Sequence, residues 1–168
     1  MSANNLRELF VHDLEDVYYA EQELLEALED LEEQTETQEF AQAFADHRDE
    51  TQGHLDRLEE VFEMLEMEPD VEECEGIEGL VEEHEGFVEE EDPSQEVLDL
   101  HNLVAAQKTE HYEIAAYGNL ALMADRLGMD EAGDLLHENL EEEEETLEEL
   151  SSFVDDYDYG RVTEQPAD

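Results

Sequence analysis

Five glutamates stand where an apolar residue would ordinarily be placed. Glu21 lies among Leu14, Val17, Tyr18, Leu24, Leu25 and Leu28. Glu50 shares a face with Phe40, Phe44, His47, Thr51, His54, Leu58, Val61 and Leu65. Glu110 fills a gap between Leu103, Val104, Gln107 and Ile114 in a stripe that continues through Tyr117, Ala121, Ala124 and Leu127, and Glu113 stands beside Ile114. Glu143 occupies the missing position among Leu136, Leu140, Leu147, Leu150 and Val154. Residues three, four and seven apart share a helix face, so four amphipathic segments each carry acid within the apolar stripe. Carboxylates gathered in a core resist ionisation, through desolvation and mutual repulsion. Either protons or cations must relieve that cost. Iron and manganese suit such a donor set, completed by an occasional imidazole. His47 and His54 are the imidazoles on the second stripe, and each reads equally as a ligand or as a hydrogen-bonded core histidine.

The elements that must position these side chains are legible from their punctuation. The first helix is expected over residues 5–34. Thr35-Glu36-Thr37-Gln38 offers a capping box for a second, running to about residue 67. Asp92-Pro93-Ser94-Gln95 opens a third with proline at its first helical position, ending at Leu127 before Gly128. Asp130 caps a fourth, running to about residue 154. No sustained alternation of period two suggests a sheet. The intervening stretch carries Ile77, Leu80, Val81, Phe87 and Val88, which predicts a short extra helix within residues 70–92, with Cys74 packed in the crossover. Two tight hairpins joined by one long connection make an all-α, ferritin-like antiparallel four-helix bundle over residues 1–154. Residues 155–168 read as a polar tail that frays. In such hairpins Glu21 and Glu50 lie at matched heights, as do Glu113 and Glu143, with Glu110 one turn away.

Charge narrows the function. The 168 residues include 55 Asp and Glu against 6 Lys and Arg, a formal net charge of −49. Disorder is excluded because 40 residues are Leu, Val, Ile or Phe, spaced at helical period through the acid. Nucleic acid is excluded as a partner, since no basic patch exists to displace counterions. Anionic membrane surfaces are disfavoured likewise, and no apolar run reaches the length of a span. No basic-then-apolar leader is visible in the first ten residues, and the lone Cys74 fits a reducing compartment, so a cytoplasmic protein is expected. A single lysine, Lys108, among so many acids points to a salt-rich cytoplasm, where a Debye length of about 3 Å at molar salt screens self-repulsion.

The segments ELFVHDLEDVYYAEQELLEAL, AFADHRDETQGHLDRLEEVF, EGIEGLVEE, AAQKTEHYEIAAYGNL and LHENLEEEEETLEEL resemble the YciE/YciF family of ferritin-like proteins, in order over residues 5–154. The stretch from Ala105 to Gly118 is the most specific. The resemblance implies a bundle related to rubrerythrins and manganese catalases, a link to bacterial stress responses and a homodimer. It places Glu21, Glu50, Glu110, Glu113 and Glu143 where that superfamily carries metal-binding carboxylates. One pattern departs: the superfamily follows a glutamate with histidine three residues on, whereas Glu50 is followed by Gly53 and Glu143 by Thr146. His54 and His47 are the available substitutes.

The expected protein therefore holds iron or manganese, two ions per chain at most, and no nucleotide or organic cofactor. If it is an enzyme, Fe(II), oxygen or peroxide are its small substrates. Glu50 and Glu143 would then bridge the ions, Glu21 and Glu110 would be terminal ligands, and Glu113 an adjustable one. A non-catalytic bundle that binds a partner, and a surface buffer for cations, are the competing readings. The charge argument makes one prediction of its own: far-ultraviolet circular dichroism should show helix at molar salt and its loss on dialysis into dilute buffer. A native spectrum in dilute buffer would refute the salt-adapted assignment.

Overall fold

The helix order follows the punctuation closely. The computed structural model describes residues 3–70 and 73–163, in which α1 spans Leu6–Gln34, α2 Gln38–Met64, α3 Glu75–Glu91, α4 Gln95–Leu127, α5 Asp130–Asp155 and α6 Gly160–Thr163. Asn5 caps α1, its side chain accepting the Glu8 N–H at 3.0 Å. Gly128, at φ 70°, ends α4 in the left-handed conformation that glycine adopts without a Cβ penalty. Asp92, left-handed at φ 45°, ends α3 ahead of Pro93. Pro93 therefore precedes the Ser94 cap of α4, rather than opening the helix.

The helices α1, α2, α4 and α5 form a square in which α1 packs on α2 and α4, and α5 on α4 and α2. Each of these neighbouring pairs is antiparallel. Because α2 ends at one end of the bundle and α4 starts at the other, the connection must travel back along the whole bundle. The extra helix expected within residues 70–92 makes that return: α3 is 17 residues long, about 25 Å. It lies across α1 and α4 and seats Cys74 and Ile77 against Ala20 and Leu24. At Gly76 any Cβ would stand 3.1 Å from the Tyr112 ring, so glycine permits this close approach. Among the described residues no helix is long and apolar enough to cross a membrane.

Apolar packing divides into two layers. One, at the α4–α5 turn, gathers Phe10, Leu14, Leu58, Phe62, Leu120 and Leu136. The other, at the α1–α2 turn, gathers Leu28, Leu31, Phe40, Phe44, Leu103 and Leu150. Tyr157 joins the second layer, donating from its hydroxyl to the Glu96 carbonyl at 2.6 Å. The start of the tail is thus anchored rather than frayed, because its aromatic ring completes the end of the core; residues 164–168 lie outside the described residues.

The expected capping box at the α1–α2 turn does not form. Thr35 Oγ1 instead donates back to the Leu31 carbonyl, and α2 begins after Thr37 without a cap from its own side chain. Asp99 of α4 takes over, accepting from Glu36 N at 3.1 Å, Thr37 N at 2.9 Å and Gln95 Nε2 at 2.7 Å. Burial acts to raise its pKa, but the bonds from Thr37, Gln95 and the Glu36 amide prevail and hold it below the usual value. A carboxylate depressed in this way adds stability above its unfolded value, lost as pH falls through the folded one. Asp99→Asn should therefore cost about 1–3 kcal/mol in denaturant melts at neutral pH. The difference from the parent should close once pH falls well below 3.8.

Candidate metal centre

Between the two apolar layers lies a polar one to which all four bundle helices contribute. Glu21 comes from α1, His47 and His54 from α2, Glu110 and Glu113 from α4, and Glu143 from α5; none is more than 4% exposed. They arrive together because each lies on the stripe that its helix turns to the core. Two groups result, one of Glu21, His54 and Glu143 and the other of His47, Glu110, Glu113 and Glu143, each with donor atoms within 4.8 Å of one another. Glu143 belongs to both.

The geometry within each group is specific. His54 Nδ1 lies 3.2 Å from Glu21 Oε1 and 3.1 Å from Glu143 Oε1, yet is in directed hydrogen bond with neither. His47 Nε2 lies 3.0 Å from Glu110 Oε1 and 3.6 Å from Glu143 Oε2. Tyr117 donates a short hydrogen bond to Glu21 Oε1. Eight donor atoms in the cluster are buried without a hydrogen-bond partner: Glu21 Oε2, His54 Nδ1 and both oxygens of Glu110, Glu113 and Glu143. Buried polar atoms are ordinarily paired, so such a concentration marks a place built for something else. Oxygen-rich donors with two imidazoles fit iron or manganese.

Glu50, expected to bridge, is not brought in. Its side chain is 47% exposed, 3.6 Å from His47 Nδ1 and 3.3 Å from Thr146 Oγ1. The stripe on α2 runs through His47, Thr51, His54 and Leu58, and Glu50 lies about 60° round the helix from it. His54, one turn further on, is what faces Glu21. Glu50 instead edges a recess open to solvent, whose lining includes Asp46, Glu145, Glu149 and the buried His47.

Several participants escaped the sequence reading. Asn139 and Thr146 share the α5 stripe with Glu143, one turn to either side, and that spacing could have found them. Arg57 and Glu142 could not be found so: Glu142 is one acid in an unbroken run from Glu141 to Glu145. Of the two tyrosines on the core stripes, Tyr117 is buried within the layer, whereas Tyr18 donates to Glu59 at 3.1 Å outside it.

Electrostatics follows burial. Desolvation, reinforced by Glu143, Glu21 and Glu110, holds Glu113 well above the usual carboxyl range. Desolvation likewise raises Glu21, against the opposing pull of the His54 ring beside it, and lifts Glu143 to about 7. For His54 burial favours the neutral ring, but Glu143 and Glu21 overcome it and raise the imidazole to about 10. His47 rises well above its ordinary value in the same contest, won by Glu110, Glu50 and Glu143. Glu50 itself is lowered by the His47 ring beside it.

A carboxylate- and imidazole-lined core inside four antiparallel helices with a long helical crossover defines a ferritin-like bundle protein. Within that class the chain belongs to the DUF892 family, a domain of unknown function whose model matches residues 5–161. Protein YciF of Escherichia coli K12 is 40% identical over 158 residues, covering 92% of this chain and 93% of its own. The crystal structure of the E. coli stress protein YciF superposes with a TM-score of 0.87 at 36% identity, over 96% of this chain and all of that one. YcfI of Rhodopseudomonas palustris, provisionally described as a structural protein, gives 0.86 at 36% identity, over 90% and 98%. The resemblance to the YciE/YciF family is thereby established.

A carboxyl whose folded pKa exceeds its unfolded one contributes stability below the unfolded value and loses it as pH rises through the folded value. For Glu143 that window runs from 4.5 to about 7. Metal-free protein at molar salt should melt at progressively lower temperature as pH is raised across it, and Glu143→Gln should flatten that part of the profile. An unchanged slope in the variant would show that Glu143 is not the group that titrates.

Proposed function

We propose that this protein is a stress-related, metal-holding bundle of a salt-adapted cytoplasm. Two iron or manganese ions would sit in the layer between its apolar halves. One observation carries the reading: six buried ligand residues with eight unpartnered donor atoms, arranged as two groups that share Glu143. The first ion would be held by Glu21, His54 and Glu143, the second by His47, Glu110, Glu113 and Glu143. When bound, such a pair supplies oxidation of Fe(II) or breakdown of peroxide. The chain's own residues do the rest. Leu, Phe and Tyr side chains above and below exclude water, which strengthens every charge interaction in the layer. Tyr117 keeps its proton, since burial and Glu21 hold its pKa well above the usual value, and so it orients Glu21 as a donor. A second copy of the chain, expected from the family, is the proposed partner.

A non-catalytic reading is favoured by one feature. The raised pKa values of both histidines, of Glu113 and of Glu143 let protons alone balance the buried charge. YcfI's description as a structural protein is in keeping with it. Elemental analysis of protein purified at molar salt separates the two. The metal reading expects about two iron or manganese ions per chain and a higher melting temperature on adding Fe(II) or Mn(II). Glu143→Gln should lose both ions, whereas Glu50→Gln should keep them. Metal-free protein with no thermal shift would leave the bundle without this chemistry.

A further inference from the structure

A closed loop of polar contacts runs from the surface into the core at the seam between α2 and α5. Arg57 holds Glu142 in a fork, Nη1 to Oε2 and Nη2 to Oε1, each at 2.8 Å. Glu142 Oε2 accepts from His54 Nε2 at 2.9 Å. His54 Nδ1 faces Glu21 Oε1 at 3.2 Å, and Glu21 accepts from Tyr117. The Tyr117 hydroxyl accepts from Asn139 Nδ2 at 3.2 Å, and Asn139 Oδ1 accepts from Arg57 Nη1 at 2.8 Å, which closes the loop. Of these six residues only Arg57 and Glu142 reach solvent, at 20% and 29% exposure of their side chains.

The loop constrains the imidazole. A ring nitrogen that donates outward to a carboxylate cannot also serve inward, so the opposite nitrogen is the one presented to the core. His47 is disposed the other way, with Nε2 toward Glu110 and Nδ1 toward Thr146 and Glu50. We propose that Arg57 and Glu142 are positioning residues: their salt bridge fixes His54 so that Nδ1 serves the Glu21–Glu143 side, which makes that ion position alone dependent on a surface pair. The proposal rests on the metal reading above. It explains why one of only six basic residues in the chain is spent here, since the planar guanidinium matches a carboxylate at two points as lysine cannot.

The test uses the full-length chain in molar salt, with Co(II) as the probe metal followed by its visible absorption, on the parent and on Glu142→Ala, Arg57→Met and Glu138→Gln. Glu138 also touches Arg57, at 2.9 Å, but does not bond His54, and so serves as the control. Glu142→Ala and Arg57→Met should weaken one of the two ions about 10–100-fold while the other stays within about 3-fold. Glu138→Gln should change neither. Equal weakening of both ions, or of neither, would overturn the proposal. The proton spectrum of metal-free protein tests it separately. The hydrogen-bonded His54 Nε2–H should give a slowly exchanging low-field signal in the parent that Glu142→Ala abolishes. A parent that binds no Co(II) but shows this behaviour refutes the metal reading and leaves the positioning intact. Persistence of the signal in the variant refutes the positioning.

Discussion

Four carboxylates buried in one layer of a bundle are the constraint around which the rest of this molecule is arranged. Taking a single carboxylate out of water is costly, and setting others beside it compounds the cost. Glu21, Glu110, Glu113 and Glu143 nonetheless come into that layer from three different helices, each at most 1% exposed. The apolar layers on either side must supply the stability that this layer consumes. They do so with phenylalanine and leucine from every bundle helix, and with Tyr157 from the tail as an end plug. His47 and His54 supply the compensating charge available to the chain itself.

The same constraint explains why the supporting contacts are long in sequence and short in space. The loop through Arg57, Glu142, His54, Glu21, Tyr117 and Asn139 draws on all four bundle helices. Asp99 similarly reaches across from α4 to hold the start of α2. A polar layer tolerates little misalignment, since each donor misplaced by an ångström leaves a charge unpaired in a low dielectric. Rigid helix-to-helix ties at the turn and at the seam are the means of keeping register.

Outside the layer, the surface acid has a different meaning. Charge at −49 opposes compaction in dilute solution and is tolerable where ions screen it. Exposed acids also line the recess over His47, so the side of the layer nearest solvent is negative in potential. Arg57 breaks that pattern further along the same seam, where it pairs with the carboxylate that meets the buried His54 ring.

What the chain's linear order determined was helical period and where each helix breaks; it did not determine the caps, since Asp99 rather than the expected capping box holds the start of α2 and Met129 rather than Asp130 stands at the cap of α5. The five helices that matter, the left-handed stop at Gly128 and the bundle itself follow from where leucine recurs and where proline and glycine interrupt. Glu21, Glu110, Glu113 and Glu143 were legible as breaks in those stripes, since the faces that carry leucine into the core must carry these acids in with it. Tertiary structure decided the rest. Whether residue 50 or residue 54 meets Glu21 depends on the rotation and stagger of α2 against α1, a shift of one turn that sequence distance from the turn does not resolve. The length of α3 was decided by the need to return to the far end of the bundle. Glu142 could be told from its four acidic neighbours only by the arginine standing opposite it, and that opposition exists only once α2 and α5 have packed.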